Sequence, residues 1–138
     1  KPSVPNPPTG VVEVNVSRSI AFIAWTAPSS RGGTDITGYR VESKQISSNY
    51  TAYDWEVSIE DTESSSTTSQ VTNLLANTQY IFRVISINSI GRSHASEPSD
   101  AITNDDAREA NQILARHVTK YVQALWTIFN WSRLVQIQ

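Results

Sequence analysis

The chain changes character near residue 103, and this change limits what it can fold into. Up to Thr103, short runs of β-branched and aromatic residues alternate with clusters of Gly, Pro, Asn and Ser, a pattern typical of short strands joined by turns. From Asn104 to Gln138 the sequence contains neither Gly nor Pro. We therefore predict a β domain over residues 1–103 and a different element over residues 104–138.

The first part of the chain is predicted to form seven strands. Their close spacing favours antiparallel pairing and a sandwich of two sheets. Alternation is clearest where Tyr80, Phe82, Val84 and Ser86 share one face of a strand, and we expect this face to point into the core. The predicted strands are Val11–Val16, Ser19–Thr26, Ile36–Gln45, Asp54–Ile59, Thr67–Thr72, Thr78–Asn88 and a last strand that is broken around Pro98 and ends at Thr103.

Composition argues against several classes of function. The formal net charge is -2 and the pI is about 5.6, so the chain lacks the basic field that a nucleic-acid partner requires. Without cysteine there is no disulfide, thiolate metal site or cysteine nucleophile. The uncharged run Tyr121–Ser132 is too short to cross a hydrocarbon core of about 30 Å. We expect no nucleic-acid binding and no membrane span.

No residue pattern indicates catalysis or a cofactor. His94 and His117 are far apart in sequence, and neither has a second ligand at metal-binding spacing. Asp105, Asp106 and Glu109 suit the start of a helix better than a cation site. The sequence also lacks a glycine-rich phosphate loop and a serine nucleophile elbow. We therefore predict a protein that is not an enzyme and that holds no metal or cofactor.

Several residues between about 5 and 103 stand where one known family has them. Leu74, Thr78 and Tyr80 have the spacing of a tyrosine corner, in which the Tyr hydroxyl bonds the backbone a few residues upstream. This part of the chain resembles the fibronectin type III domain, although Ala76 replaces the usual proline. The resemblance also rests on Pro7 and Pro8 before the first strand, Trp25 in the second, Tyr39 in the third, and Asn88, Gly91 and Ser96 around the last turn.

The resemblance implies a function without chemistry. Domains of this family serve mostly as spacers and protein-binding modules in adhesion molecules, receptors and muscle proteins. By analogy with immunoglobulin-like sandwiches, the loops 27–34 and 89–94 are the expected contact surface for a protein partner. The integrin-binding tripeptide of one such domain is missing, because Asp35 comes two residues too late after Arg31 and Gly32.

The last part of the chain is predicted to be one amphipathic helix over residues 105–130. Asp106 and Glu109 have the form of a capping box, and the acidic start suits the helix dipole. Beyond Asn130 the apolar pattern fails, since Trp131 and Leu134 fall on polar or flanking faces. We expect the helix to end there, with a short extended tail or strand in residues 131–138.

The apolar stripe of this helix is the main candidate interaction surface. Left in water it would be costly, since burying one such side chain is worth roughly 1.5–3 kcal/mol. The candidate interface residues are Leu114, Val118, Tyr121, Val122, Leu125, Trp126, Ile128 and Phe129.

One surface of the sandwich is predicted to accept this stripe. If Ala21, Ile23 and Trp25 point into the core, their neighbours in the second strand give the outer face an unusually apolar character. We hypothesise that the helix folds back over the sheet formed by the first, second and fifth strands, called A, B and E in this family. The candidate contacts on that sheet are Val12, Val14, Ile20, Phe22 and Ala24.

Two alternatives compete with this arrangement. Leu114, Val118, Tyr121, Leu125 and Ile128 alternate at spacings of four and three residues, which also favours pairing with the same helix of a second chain. A different protein could equally cover the stripe. A family-like body joined to so regular a helix also fits an engineered domain extension.

Overall fold

The computed structural model describes residues 1–46, 54–104 and 106–136. The chain divides into two compact units, residues 1–105 and residues 106–138, which are described separately below. The first unit contains β1 (Thr9–Val16), β2 (Ala21–Thr26), β3 (Ile36–Ile46), β4 (Glu56–Ile59), β5 (Thr68–Val71), β6 (Thr78–Asn88) and β7 (Ile102–Asn104), and the second contains α1 (Asp106–Gln136).

The strands form two antiparallel sheets, with orders β1-β2-β5 and β4-β3-β6-β7. The longest pairing joins β3 to β6, from Ile36 opposite Asn88 to Ile46 opposite Gln79. The predicted antiparallel sandwich is confirmed. β2 begins later than predicted because Ser17 N–H donates to the Ile20 carbonyl at 2.9 Å, which keeps Ile20 in the turn.

The core lies between the inward faces of the two sheets. Trp25 from β2 meets Tyr39 from β3 edge to face, with ring centroids 5.1 Å apart. The predicted alternation in β6 is confirmed, since its inward residues are buried. The buried hydrophobic residues are Val11, Ala21, Ile23, Trp25, Tyr39, Val41, Val71, Leu74, Tyr80, Phe82 and Val84.

The loop before β6 is fixed by the tyrosine corner that the sequence predicts. The Leu75 backbone N–H donates to the Tyr80 hydroxyl at 2.9 Å, and Leu74 closes the edge of the core. Asn73 and Asn77 take left-handed backbone conformations, with φ of 59° and 56°, which Asn tolerates better than most residues. The corner thus forms with Ala76 in place of the proline usual in the resembled family.

A row of serines satisfies the free edge of β6. The Ser93, Ser96 and Ser99 N–H groups donate to alternate carbonyls of β6 at 2.8–2.9 Å. The hydroxyls of the same three serines accept hydrogen bonds from alternate β6 N–H groups at 2.9–3.0 Å. Each serine therefore makes two hydrogen bonds to β6 in the place where a regular neighbouring strand would make them. The predicted last strand can be broken because these bonds keep the edge of β6 paired.

We predict that Ser96→Ala lowers the free energy of unfolding by about 1–3 kcal/mol, since it leaves the buried Val84 N–H without its acceptor. Chemical denaturation monitored by tryptophan fluorescence measures the change. Ser65→Ala, in an exposed loop, is the matched control. Equal stabilities for the two variants would contradict this account of the serine row.

We also predict a loss of stability at alkaline pH through Tyr39. Burial raises the pKa of its hydroxyl above the ordinary value of 10.0, and the Trp25 side chain opposes part of that rise. The folded state therefore binds this proton more tightly than the unfolded state does. The resulting stabilisation is complete below the pKa of the unfolded chain and is lost as pH rises through the raised pKa of the folded chain. Urea unfolding at pH 8 and at pH 11 should show a smaller decrease for Tyr39→Phe than for the parent chain.

The helix is longer than the sequence predicts. α1 runs from Asp106 to Gln136, so residues 131–136 are helical and do not form the expected extended tail, while residue 105 and residues 137–138 lie outside the described residues. The prediction ended the helix where the apolar stripe loses its regularity. Backbone hydrogen bonding does not depend on that regularity, and no Gly or Pro interrupts the helix here.

Candidate interaction surfaces

At one pole of the sandwich, Asn88 connects three segments of the chain. Its side-chain amide donates to the Ser3 and Arg31 carbonyls at 2.8 and 2.9 Å. Its side-chain oxygen accepts from the Ile90 and Gly91 N–H groups at 2.9 and 3.1 Å. One buried side chain thus holds the N-terminal segment and both predicted contact loops, 27–34 and 89–94, in fixed positions.

The two loops meet beside this connection. The Thr34 and Ser89 hydroxyls lie 3.5 Å apart. Gly32 has φ of +76°, and a Cβ there would collide with the Ser3 carbonyl oxygen, so only glycine fits this close approach. Arg31 forms an ion pair with Asp35 at 2.8 Å. The two charged residues compared above with the integrin-binding tripeptide therefore bind each other.

We predict that Asn88→Ala lowers the free energy of unfolding by about 2–3 kcal/mol, because it removes four hydrogen bonds from a buried group. Amide hydrogen exchange should rise in residues 30–34 and 89–92 more than in β2 or β5. Ser89→Ala, which removes only the long contact to Thr34, is the control. Uniform exchange across the sandwich would contradict the proposed role of Asn88 as a local connection.

The outer face of β3 and β6 carries a paired row of charges. Glu42, only 7% exposed, receives Arg83 at 2.7 Å and Arg40 at 3.1 Å. The Arg83 guanidinium lies 4.2 Å from the centre of the Trp55 ring, a cation–π distance. Glu60 extends the row, because it pairs with Arg40 at 3.4 Å and with Arg92 at 2.6 Å. The Lys44 ammonium lies 5.9 Å from the centre of the Trp55 ring. These charges pair with one another on a face that also carries the outward side chains of Val57, Ile81 and Ile85.

The outer face of β1-β2-β5 carries both apolar and polar side chains. Val12, Val14 and Phe22 are 52%, 67% and 42% exposed, whereas Ile20 and Ala24 are half-buried. A shallow open depression of about 460 Å³ lies on this face. It is lined by Val14, Asn15, Phe22, Ile23, Thr68, Ser69 and Gln70.

The helix presents the predicted apolar stripe as an exposed surface. Side chains of α1 are described from Arg116 to Trp131, and Leu114 lies outside this range. Within the range every large apolar residue is at least half exposed, from 50% at Leu125 to 69% at Trp131. The other exposed members are Val118, Tyr121, Val122, Trp126, Ile128 and Phe129.

Neither a metal cluster nor a membrane helix is found in the parts of the chain that the structure describes. Among those residues, no three His, Cys, Asp or Glu side chains are grouped closely enough to hold a metal ion. No helix there is both long and apolar enough to span a bilayer.

Comparison with known proteins agrees with the sandwich topology and the tyrosine corner. The family described as "Fibronectin type III domain" matches residues 6–102, about seven tenths of the chain. The chain belongs to the fibronectin type III family. This confirms the resemblance stated from Trp25, Tyr39, Leu74 and Tyr80, all of which lie in the core of the fibronectin type III domain.

Relatives of this fibronectin type III chain occur in adhesion and muscle proteins. The human cell adhesion molecule-related/down-regulated by oncogenes protein is 30% identical over 134 residues, covering 94% of this chain and 10% of its own length. Human myomesin-2 is 28% identical over 130 residues, covering 94% of this chain and 8% of its own length. The chain thus spans about a tenth of these relatives or less.

Solved structures show the same fold. The titin kinase and its flanking domains include a match that is 40% identical with a TM-score of 0.64, covering 80% of this chain and 19% of that one. A titin module from human cardiac muscle is 33% identical with a TM-score of 0.64, covering 75% of this chain and 96% of the module. The match to nearly all of a single module indicates that the sandwich is one complete domain of this kind.

Sequence reasoning missed two features of the site. The ion pairs of the charged row on β3 and β6 were not predicted, because the paired groups come from four separate segments and only the register brings them together. The serine row did have a sequence signal, the three-residue spacing of Ser93, Ser96 and Ser99. It was overlooked because strand prediction looks for a period of two.

Proposed function

We propose that this fibronectin type III chain is a non-enzymatic structural and protein-interaction module that binds protein through the apolar stripe of α1. The observation that carries the proposal is the exposure of this stripe, at least 50% for each large apolar side chain from Val118 to Trp131. Burying such a side chain is worth roughly 1.5–3 kcal/mol, so a protein surface that covers the stripe gains substantial free energy. The loops 27–34 and 89–94 are a secondary contact surface in this proposal.

One arrangement of this function is intramolecular, with α1 over the outer face of β1-β2-β5. Its support is chemical, because Val12, Val14 and Phe22 form an exposed apolar surface of the same chain.

The other arrangement pairs α1 with the same helix of a second copy. The spacing of Val118, Tyr121, Leu125 and Ile128 matches the a and d positions of a heptad repeat. α1 contains 31 residues, about four heptads, which is longer than the helix of residues 105–130 that the sequence predicts. The apolar a and d positions extend only from Leu114 to Ile128, about two heptads, and helix pairs of fewer than three heptads are marginal in water.

We predict that Leu125→Asp disrupts the interaction and that Gln123→Asp, on the polar side of the same helix, does not. Light scattering after gel filtration measures the mass of the parent chain, of both variants and of a chain that ends at Asn104. Circular dichroism measures helix content. A dimer that Leu125→Asp converts to a monomer indicates pairing between copies, whereas a monomer whose sandwich loses stability indicates the intramolecular arrangement.

A parent chain whose mass, helix content and melting temperature are unchanged by Leu125→Asp would contradict the proposal. Gln123→Asp is the control for the added charge, because an effect of negative charge alone would appear in both Leu125→Asp and Gln123→Asp. The engineered origin of the helical extension stays a prediction from its regular pattern and does not enter this test.

A further inference from the structure

The described strands leave four sheet edges, at β1, β5, β4 and β7, and three of these strands carry features that discourage further pairing. β1 has two register shifts against β2. β4 begins with the exposed charge of Glu56 and has a register shift against β3, and β7 is three residues long. β5 pairs with β2 without a shift, and residues 67–72 contain neither a charge nor a proline. β5 is therefore the least protected edge among the described strands.

The pairing with β2 shows which backbone groups of β5 face outward. The Trp25 N–H donates to the Thr67 carbonyl at 3.0 Å, so these two residues form a hydrogen-bonded pair. Such pairs recur at every second residue of an antiparallel ladder, which assigns the N–H and C=O groups of Ser69 to β2. The N–H and C=O groups of Thr68 and Gln70 then point away from β2, toward an edge on which no described strand lies.

We propose that the free edge of β5 binds an extended segment of another protein, which adds to the sheet as an antiparallel strand and carries basic residues at its C-terminal end. The outward N–H and C=O groups of Thr68 and Gln70 are complementary to the backbone of such a segment. This site is separate from the apolar stripe of α1, so it adds a second interaction surface and does not depend on the function proposed above.

The basic end of the partner segment follows from the loop before β5. Asp61 and Glu63 in this loop are exposed, and neither belongs to an ion pair among the described residues. The Asp61 carboxylate accepts the Glu63 N–H at 2.8 Å, which fixes the loop backbone between the two charges. In an antiparallel pair the C-terminal end of the added strand lies beside the start of β5, on the side of this loop. Basic residues there complement the two carboxylates.

Amide hydrogen exchange of the full chain, followed by nuclear magnetic resonance, tests this site. The probe is a capped synthetic peptide of alternating threonine and valine that ends in two lysines. At a peptide concentration that occupies about nine tenths of the chain, exchange of the Thr68 and Gln70 N–H groups should slow about tenfold, because the added strand covers them. The Ser69 N–H, which already bonds β2, should change less.

Matched controls separate backbone pairing from other contacts. The same peptide N-methylated throughout lacks backbone donors and should not protect Thr68 or Gln70. Gln70→Pro removes one outward N–H and leaves the bonds from Ser69 to β2 in place, so it should weaken peptide binding by about fivefold. If Gln70→Pro fails to fold, the N-methylated peptide makes the same test on the parent chain.

The charge of the loop is tested separately. Glu63→Gln should weaken peptide binding and make it less sensitive to salt, because exposed opposite charges attract one another less as ionic strength rises. Glu56→Gln removes an exposed carboxylate from β4, at a different edge, and should leave binding unchanged.

Three results would overturn the inference. Protection of amides in β1, β4 or α1 in place of Thr68 and Gln70 would assign the peptide to another surface. Equal protection by the N-methylated peptide would show that backbone pairing is not the mode of binding. Unchanged exchange at Thr68 and Gln70 up to millimolar peptide would exclude strand addition at β5.

Discussion

The sandwich depends on β6 more than on any other strand. Its inward side chains, Tyr80, Phe82 and Val84, form the centre of the core. One edge of β6 pairs with β3 from Gln79 to Asn88, and the other edge is satisfied by β7 and the serine row. The loop before β6 is fixed by the Tyr80 hydroxyl, and the loop after β6 is fixed by Asn88. The buried backbone groups of this strand need hydrogen-bond partners, because a buried unpaired N–H or C=O group costs free energy.

This requirement explains why buried polar residues of the domain lie in β6 and beside it. Ser96, Ser99 and Asn88 are each below 10% exposed, and each replaces backbone bonds that a regular strand or turn would supply. The charged row on the opposite side of the same sheet follows the same logic. Glu42 tolerates burial because two guanidinium groups neutralise it. With no cysteine, the domain holds together by packing and by these bonds alone.

The exposed surfaces of the sandwich and of α1 differ in the charge and polarity of their side chains. The outer side of β3 and β6 carries charges that are already paired, and the loop pole is fixed by Asn88. Exposed apolar side chains lie on the outer side of β1-β2-β5 and along the stripe of α1. Fibronectin type III domains of muscle and adhesion proteins act as structural and protein-interaction modules, and exposed apolar area is what a protein contact can bury.

The sequence by itself determined the strands, the alternation that separates core from surface, and the existence and polarity of the helix. These depend on local periodicity, so Ile23, Trp25 and Phe82 could be assigned to the core, and Val118 and Leu125 to the stripe, without coordinates. The tyrosine corner was equally accessible, because Leu74 and Tyr80 are close in sequence.

Only the tertiary structure decided which distant groups meet. Asn88 reaches Ser3 across 85 positions, and Arg83 reaches Glu42 across 41, and no local pattern encodes either bond. The end of the helix was also misjudged from the sequence, since backbone hydrogen bonding continues past the point where the apolar stripe fails. Periodicity reports which face of an element is apolar. Long-range bonds and helix ends depend instead on where the rest of the chain brings the complementary donor, acceptor or charge.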